Sequence, residues 1–323
     1  MKRSHYILVL SLLILCQACK KENTTVVAPE FYFEKIAGPT DIFAQGPHDI
    51  LLDNTGKLWA AFEDGVGVYN GSQWTIHRPF TKRPNNASSG NYVWSILQDS
   101  RGNIWAVIEN YFDIYACRFN GSNWDTWKLP PFEINNIIEM PDGEIWFPSR
   151  GGGIHVFNGT SFVISNATVI VSNSAFLDRN QTLWLGSTRN RYYKYVRKWE
   201  FEEFNIFVEY GSNTVDVLQI EQKRDGKLMF SLNPGGAKFL DGNSYKQMPA
   251  EGAVTGPVIS TYEDSRNRTW IGTMSKGIIL QEGNTIKEIP LSGQADWTNE
   301  FLEDKEGTIW ISCAAGIFRY RKK

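Results

Sequence analysis

Apolar residues in this chain come in short runs, each broken by a polar turn. One such turn, Asp99-Ser100-Arg101-Gly102-Asn103, separates Ile96-Leu97 from Ile104-Trp105. An acidic residue stands six positions before the Trp and a Gly three before it. The pattern predicts a β-hairpin, in which the Asp side chain caps a tight turn and the Gly takes its positive-φ position. The Trp then opens the second strand with a large apolar face to bury. A single hairpin has too little surface to hide that face. The frame returns as Asp53, Gly56, Trp59 and as Asp304, Gly307, Trp310, and repetition turns it into a fold.

Aligned on the Trp, the frame occurs seven times, at Trp59, Trp105, Trp146, Trp184, Met229, Trp270 and Trp310. The spacing is about 42 residues, in the range of propeller blades. Several copies have drifted. Met140 stands at the Asp position of repeat three, Gln181 and Asn267 at the Gly positions of four and six, and repeat five carries Lys223 and Met229. A second marker follows in five repeats: Asn70-Gly71, Asn120-Gly121, Asn158-Gly159, Asp241-Gly242 and Glu282-Gly283. Each precedes a short strand, such as 73–76 or 245–248. Helical periodicity is absent. The expected fold is therefore all-β, a seven-bladed β-propeller of four-stranded blades. The last repeat stops at Gly316-Ile317-Phe318-Arg319-Tyr320 without a fourth strand. An orphan strand at Phe31–Ile36 is expected to complete that blade and close the ring, hiding the edges of an open array.

The start of the chain reads differently. Lys2 and Arg3 precede an apolar run from Tyr6 to Cys16, which predicts a secretory signal over residues 1–18, too short to span a membrane. Ala18-Cys19 has the form of a lipoprotein cleavage site, with Cys16 where such sites usually hold Leu. Lipidation at Cys19 and ordinary secretion are the two readings; the first ties the mature chain to a membrane through acyl chains alone. Residues 19–29 read as a polar tether, and residues 30–323 as the propeller. The expected location is the cell envelope, at the outer membrane of a Gram-negative bacterium. Removing Lys2 and Arg3 moves the formal charge from −2 to −4, so nucleic acid is not an expected partner. Cys117 and Cys313 fall in repeats two and seven, which are not neighbours, and are expected to be separate buried thiols.

Chemistry is sparse. The four His are His5, in the signal, and His48, His77 and His155, in three different repeats. No metal-ligand spacing, phosphate-binding Gly loop or nucleophile motif is present, and no cofactor is expected. His155 is expected to be an ordinary packed or edge residue. Attention goes to one face, where the loops entering each blade meet the loops joining its second and third strands. Ten residues before each Trp position stand Asp49, Ser95, Asn136, Ser174, Gln219, Ser260 and Glu300, all polar. They suggest a water-filled channel whose mouth, with His48 and Trp94 next to Asp49 and Ser95, is able to hold a ligand. Blade two is irregular. Its loop between strands two and three carries Glu109, Asn110, Tyr111 and Phe112, and residues 78–91 form a long entering loop rich in Lys, Arg, Asn and Ser. Neighbouring loops add Arg150, Arg189 and Arg191. Exposed aromatics beside amides and Arg bind sugar rings or anionic glycans by stacking and bidentate hydrogen bonds; surface variation in tolerant loops explains the same features.

The stretches Ile96–Trp105 and Tyr262-Glu263-Asp264-Ser265-Arg266-Asn267-Arg268-Thr269-Trp270-Ile271-Gly272-Thr273 resemble the two-component regulator propeller repeat, as does a Gly opening strand three at Gly67, Gly153, Gly277 and Gly316. Such repeats form periplasmic sensing domains of hybrid histidine kinases in glycan-degrading Gram-negative bacteria. The resemblance implies a propeller and ligand recognition; the transmembrane helix, kinase and receiver of those proteins are not expected in this chain. Streptogramin B lyases are similar in their Asp-x-x-Gly-x-x-Trp frame, but that family uses His and Glu near the later blades with magnesium, and no His follows His155 here. The expectation is a non-catalytic, membrane-anchored propeller that binds a carbohydrate or an envelope protein at its loop face. The alternatives are a glycan lyase or hydrolase using carboxylates such as Asp49, Glu63 and Glu300, and a structural scaffold in an envelope complex.

Overall fold

The computed structural model describes residues 31–39, 46–81, 90–164, 171–197, 200–206, 214–249, 256–289 and 297–322. The expected signal (1–18), Cys19 and the tether lie outside these residues, as does most of the loop entering blade two. Among the described residues every regular element is a strand, in seven four-stranded antiparallel sheets. Blade one runs Asp49–Leu52, Leu58–Phe62, Gly65–Tyr69 and Trp74–His77, and blade two Tyr92–Gln98, Ile104–Asn110, Asp113–Phe119 and Trp124–Leu129. The other blades repeat this order from inner to outer strand.

Ring closure is as the ends of the sequence imply. Phe31–Ile36 pairs antiparallel with Gly316–Lys322, with Phe31 opposite Lys322 and Ile36 opposite Ile317. Blade seven is thus Thr298–Glu303, Ile309–Cys313, Gly316–Lys322 and the N-terminal strand. The bidentate pair of Arg319 with Glu34, at 2.8 and 3.0 Å, pins that strand.

The Asp of each intact frame does two jobs. Oδ1 of Asp99 accepts the backbone N–H of Arg101 and Asn103, closing the turn, and Oδ2 accepts Trp105 Nε1–H at 2.9 Å. Asp53, Asp178, Asp264 and Asp304 hold Trp59, Trp184, Trp270 and Trp310 in the same way, at 2.8–2.9 Å. The Trp ring can then be buried with its one polar atom satisfied. Blade three, with Met140 in place of Asp, turns Trp146 Nε1–H to Glu144 Oε2 at 3.0 Å. Blade five lost both partners together, so no indole is stranded there.

Blades are also stitched to one another. The residue just before the turn accepts the backbone N–H at the turn of the preceding blade. Gln98 takes Asn54 N–H at 2.7 Å, Glu139 takes Ser100 N–H at 2.7 Å, and Glu303 takes Ser265 N–H at 2.7 Å. Gln222 and Glu263 repeat the contact with Arg179 and Arg224. Leu52 and Leu177 occupy that position in blades one and four. The apolar core lies between sheets; Trp105, Ala116 and Leu129 of blade two pack on Ile145, Phe147 and Phe157 of blade three. Burying such a side chain contributes on the order of 2–3 kcal/mol. Cys117 and Cys313 are separate buried thiols, and His155 is buried in the strand Ile154–Phe157.

Candidate functional site

A β-bulge recurs in the inner strands, and it builds the site. In blade two Val93 faces Ile108 and Ser95 faces Val107, so Trp94 has no partner in the ladder. Asn173, Leu218, Ile259 and Asn299 are the extra residues in blades four, five, six and seven. A bulge re-aims its extra side chain away from the sheet. All five line one cavity of about 500 Å³ at the channel mouth, together with His48 and Asn135, which stand at the same place in blades one and three. At this one position each blade contributes a side chain to the lining: His48, Trp94, Asn135, Asn173, Leu218, Ile259 and Asn299.

The ring is uneven. Blades one to four bring aromatic and amide groups. His48 lies against Tyr92 and Trp94, with ring centroids 4.7 and 5.9 Å away, and burial lowers its pKa. His48 Nε2, Asn135 Oδ1, Asn173 Nδ2 and Ser174 Oγ are buried without a protein hydrogen-bond partner. Buried polar atoms of this kind are normally satisfied by water or a ligand. Blades five to seven bring Leu218, Ile259, Met274 and the half-exposed Trp297, the amides of Gln219 and Asn299, and two carboxylates, Glu221 and Glu300. Burial pushes Glu221 up to about 7. Glu300 is raised well above the usual carboxylate range by burial and by the charges of Asp49 and Glu221. Among the described residues, the lining has no Lys or Arg.

A second cavity of about 210 Å³ opens on blades two and three, lined by Trp94, Glu109, Phe112, Ile114, Pro131, Phe132 and Glu133. Trp94 and Glu133 line both cavities. Trp94 is the wall between them, and its Nε1–H is held by Glu109 Oε2 at 3.2 Å.

The sequence-predicted residues divide between these places and others. Glu300, His48 and Trp94 line the mouth, and Glu109 and Phe112 the side cavity, where Phe112 is 89% exposed. Tyr111 does not stand beside Phe112 as a second platform. It sits at φ +64° with its ring against Gly90, where an added Cβ would lie 2.9 Å from it. Arg150 is 3.4 Å from Glu133, and Arg191 is 3.6 Å from Glu203 in its own blade. Neither they nor Arg189, at φ +57° in the turn of blade four, line either cavity. Asp49 turns sideways: Oδ2 accepts Ser95 Oγ–H and Ile96 N–H, both at 2.9 Å, and burial raises its pKa to about 6. Gln219 makes the equivalent bond to Thr261 N–H at 2.6 Å. Asp49, Ser95 and Gln219 thus serve the seams between blades, while Asn136, Ser174, Gln219 and Glu300 of the same set border the mouth beside the residues one position earlier.

Glu221 carried a signal in the sequence. Eight residues before the Trp position stand Leu51, Leu97, Ile138, Phe176, Tyr262 and Leu302 in the other repeats, and Glu in repeat five. An acid at a packing position that is otherwise apolar is a functional candidate. The bulges carried no such signal, because one extra residue in a strand leaves composition unchanged.

With the turn chemistry of Asp99 and Trp105 in view, residues 87–110 match the family described as "Two component regulator propeller". That match spans one repeat of the chain. No curated protein matches the chain in sequence. Among solved structures, a catalytically inactive virginiamycin B lyase from Staphylococcus aureus with quinupristin is similar at TM-score 0.73 and 18% identity, over 91% of this chain and 100% of that one. The extracellular domain assigned to a hybrid two component system of B. thetaiotaomicron is similar at TM-score 0.69 and 14% identity, over 87% of this chain but 40% of its own. A second extracellular domain from that organism, assigned to a one component system, gives TM-score 0.72 and 14% identity, over 89% and 39%. At these identities the likeness is one of fold.

Proposed function

We propose that this propeller is a saccharide-binding protein of the bacterial envelope, lipid-anchored at Cys19, that takes one end of a glycan into its channel mouth. One observation carries the reading: the bulge residue Trp94 forms a shared wall between two cavities, with amide side chains on one side and Phe112 and Phe132 on the other. An indole offers a flat apolar face to a sugar ring, and Asn135 and Asn173 offer donors and acceptors for hydroxyls. The cavity volume is that of a small-molecule site. The likeness to extracellular domains of sensor proteins supports an envelope location, and the order of the first 19 residues supports the anchor.

A glycan array on the purified protein, followed by calorimetry on the hits, tests this. Trp94→Ala is expected to weaken binding tenfold or more while the protein stays folded. Unchanged affinity in that variant would move the ligand away from the mouth. A second reading, a glycan-cleaving enzyme, is favoured by Glu221, which burial holds near the pH range of an acid catalyst. New reducing ends released from a bound glycan, and lost in Glu221→Gln, would replace the first reading with this one.

A further inference from the structure

The half of the mouth formed by blades five to seven goes beyond generic sugar chemistry. Glu221 and Glu300 face a cavity whose described lining holds no Lys or Arg, and neither forms an ion pair among the described residues. Once ionised these groups only accept hydrogen bonds, and burial lets them ionise when a partner brings positive charge and donors. The described residues hold no group of three or more His, Cys, Asp or Glu placed to bind a metal ion, so the donor set suits an organic cation. Trp297, 50% exposed, lines the same region, and an indole face attracts an ammonium. Independently, the bulge residue Asn173 lines the cavity and its Nδ2 is buried without a hydrogen-bond partner. That amide is placed for a ligand hydroxyl.

Resting on the saccharide reading above, we infer that the mouth selects an amino sugar with a free, protonated amine, the ammonium lying between Glu221 and Glu300 and the ring hydroxyls reaching Asn135 and Asn173. A compact ammonium presents three donors, which two facing carboxylates are able to share. A basic peptide brings the same charge, but peptides are commonly held through main-chain pairing with a sheet edge. The mouth offers side chains on bulges instead, on inner strands already paired on their outer side.

Calorimetry on the intact protein separates the possibilities, using the glucosamine trisaccharide, its N-acetylated counterpart, cellotriose and trilysine at pH 6.5. The glucosamine trisaccharide is expected to bind at least tenfold tighter than the N-acetylated and neutral ones. Glu221→Gln and Glu300→Gln should each lower that affinity at least fivefold and leave binding of the neutral sugars within twofold. The comparison of acetylated with free amine needs no variant, so it stands even if one substitution impairs folding. Equal affinity for free and acetylated sugars would overturn the amine inference and leave the saccharide reading intact. Binding of trilysine in place of the sugar would overturn the sugar class, and no saccharide binding at all would overturn both.

Discussion

Replacing Glu221 by Leu gives blade five the kind of residue that the other repeats hold at this position. The carboxyl is raised by burial from its ordinary 4.5 to about 7. Between those values the folded protein keeps a proton that the unfolded chain has lost. Stability therefore falls as pH rises through that window and stays low above it. The full shift corresponds to at most about 3 kcal/mol. Glu221 borders an open cavity, where solvent screens part of that cost, so about 1–2 kcal/mol is the expected gain on removing the charge. For a domain of this size that is about 2–3 °C in melting temperature. Thermal melts at pH 5 and pH 8 are the assay, with Glu221→Gln as the near-isosteric control. Both variants should melt higher than the parent at pH 8 and close to it at pH 5. Asp49 and Glu300 are shifted the same way, so the variants should keep a weaker pH slope of the same sign. A slope identical to the parent's would show that Glu221 is already solvated, and the argument from burial would fail.

Asp264→Ala removes the acceptor of two turn N–H groups and of the buried Trp270 indole and the Arg268 guanidinium. It should cost about 3 kcal/mol or more, read by urea unfolding; a loss under about 1 kcal/mol would mean that the turn holds without its cap. Deleting Phe31–Ile36 exposes an unpaired edge on blade seven and should lower the melting temperature of the whole ring. A melt unchanged and free of aggregation would contradict closure by this strand. Cys19→Ala should release the protein from the membrane fraction or leave it uncleaved, and normal processing with membrane retention would refute the lipid anchor.

Legibility followed the range of the interactions. Asp99, Gly102 and Trp105 lie within seven residues, so the turn they make is written in local order, and its recurrence makes the blade count readable. Closure was readable because one strand was left over before the first repeat and one was missing from the last. The candidate site was readable only in part. Glu300 and His48 stood out as polar residues at inner-strand positions, whereas Tyr111 looked like a partner of Phe112 and packs against Gly90 instead. Arg189 and Arg191 stand where the second strand of blade four turns into its third, and they line neither cavity.

The sequence by itself determined the all-β class, the seven repeats and the closing strand, because turn caps and strand alternation act between near neighbours. Only the tertiary structure decided what fills the channel. Whether Asp49 faces solvent or the backbone N–H of Ile96 depends on the next blade. Which side chain enters the mouth depends on a one-residue bulge in five of the seven inner strands. A bulge shifts the face of a side chain without changing the order of residues, so its effect is seen only once the strands are paired.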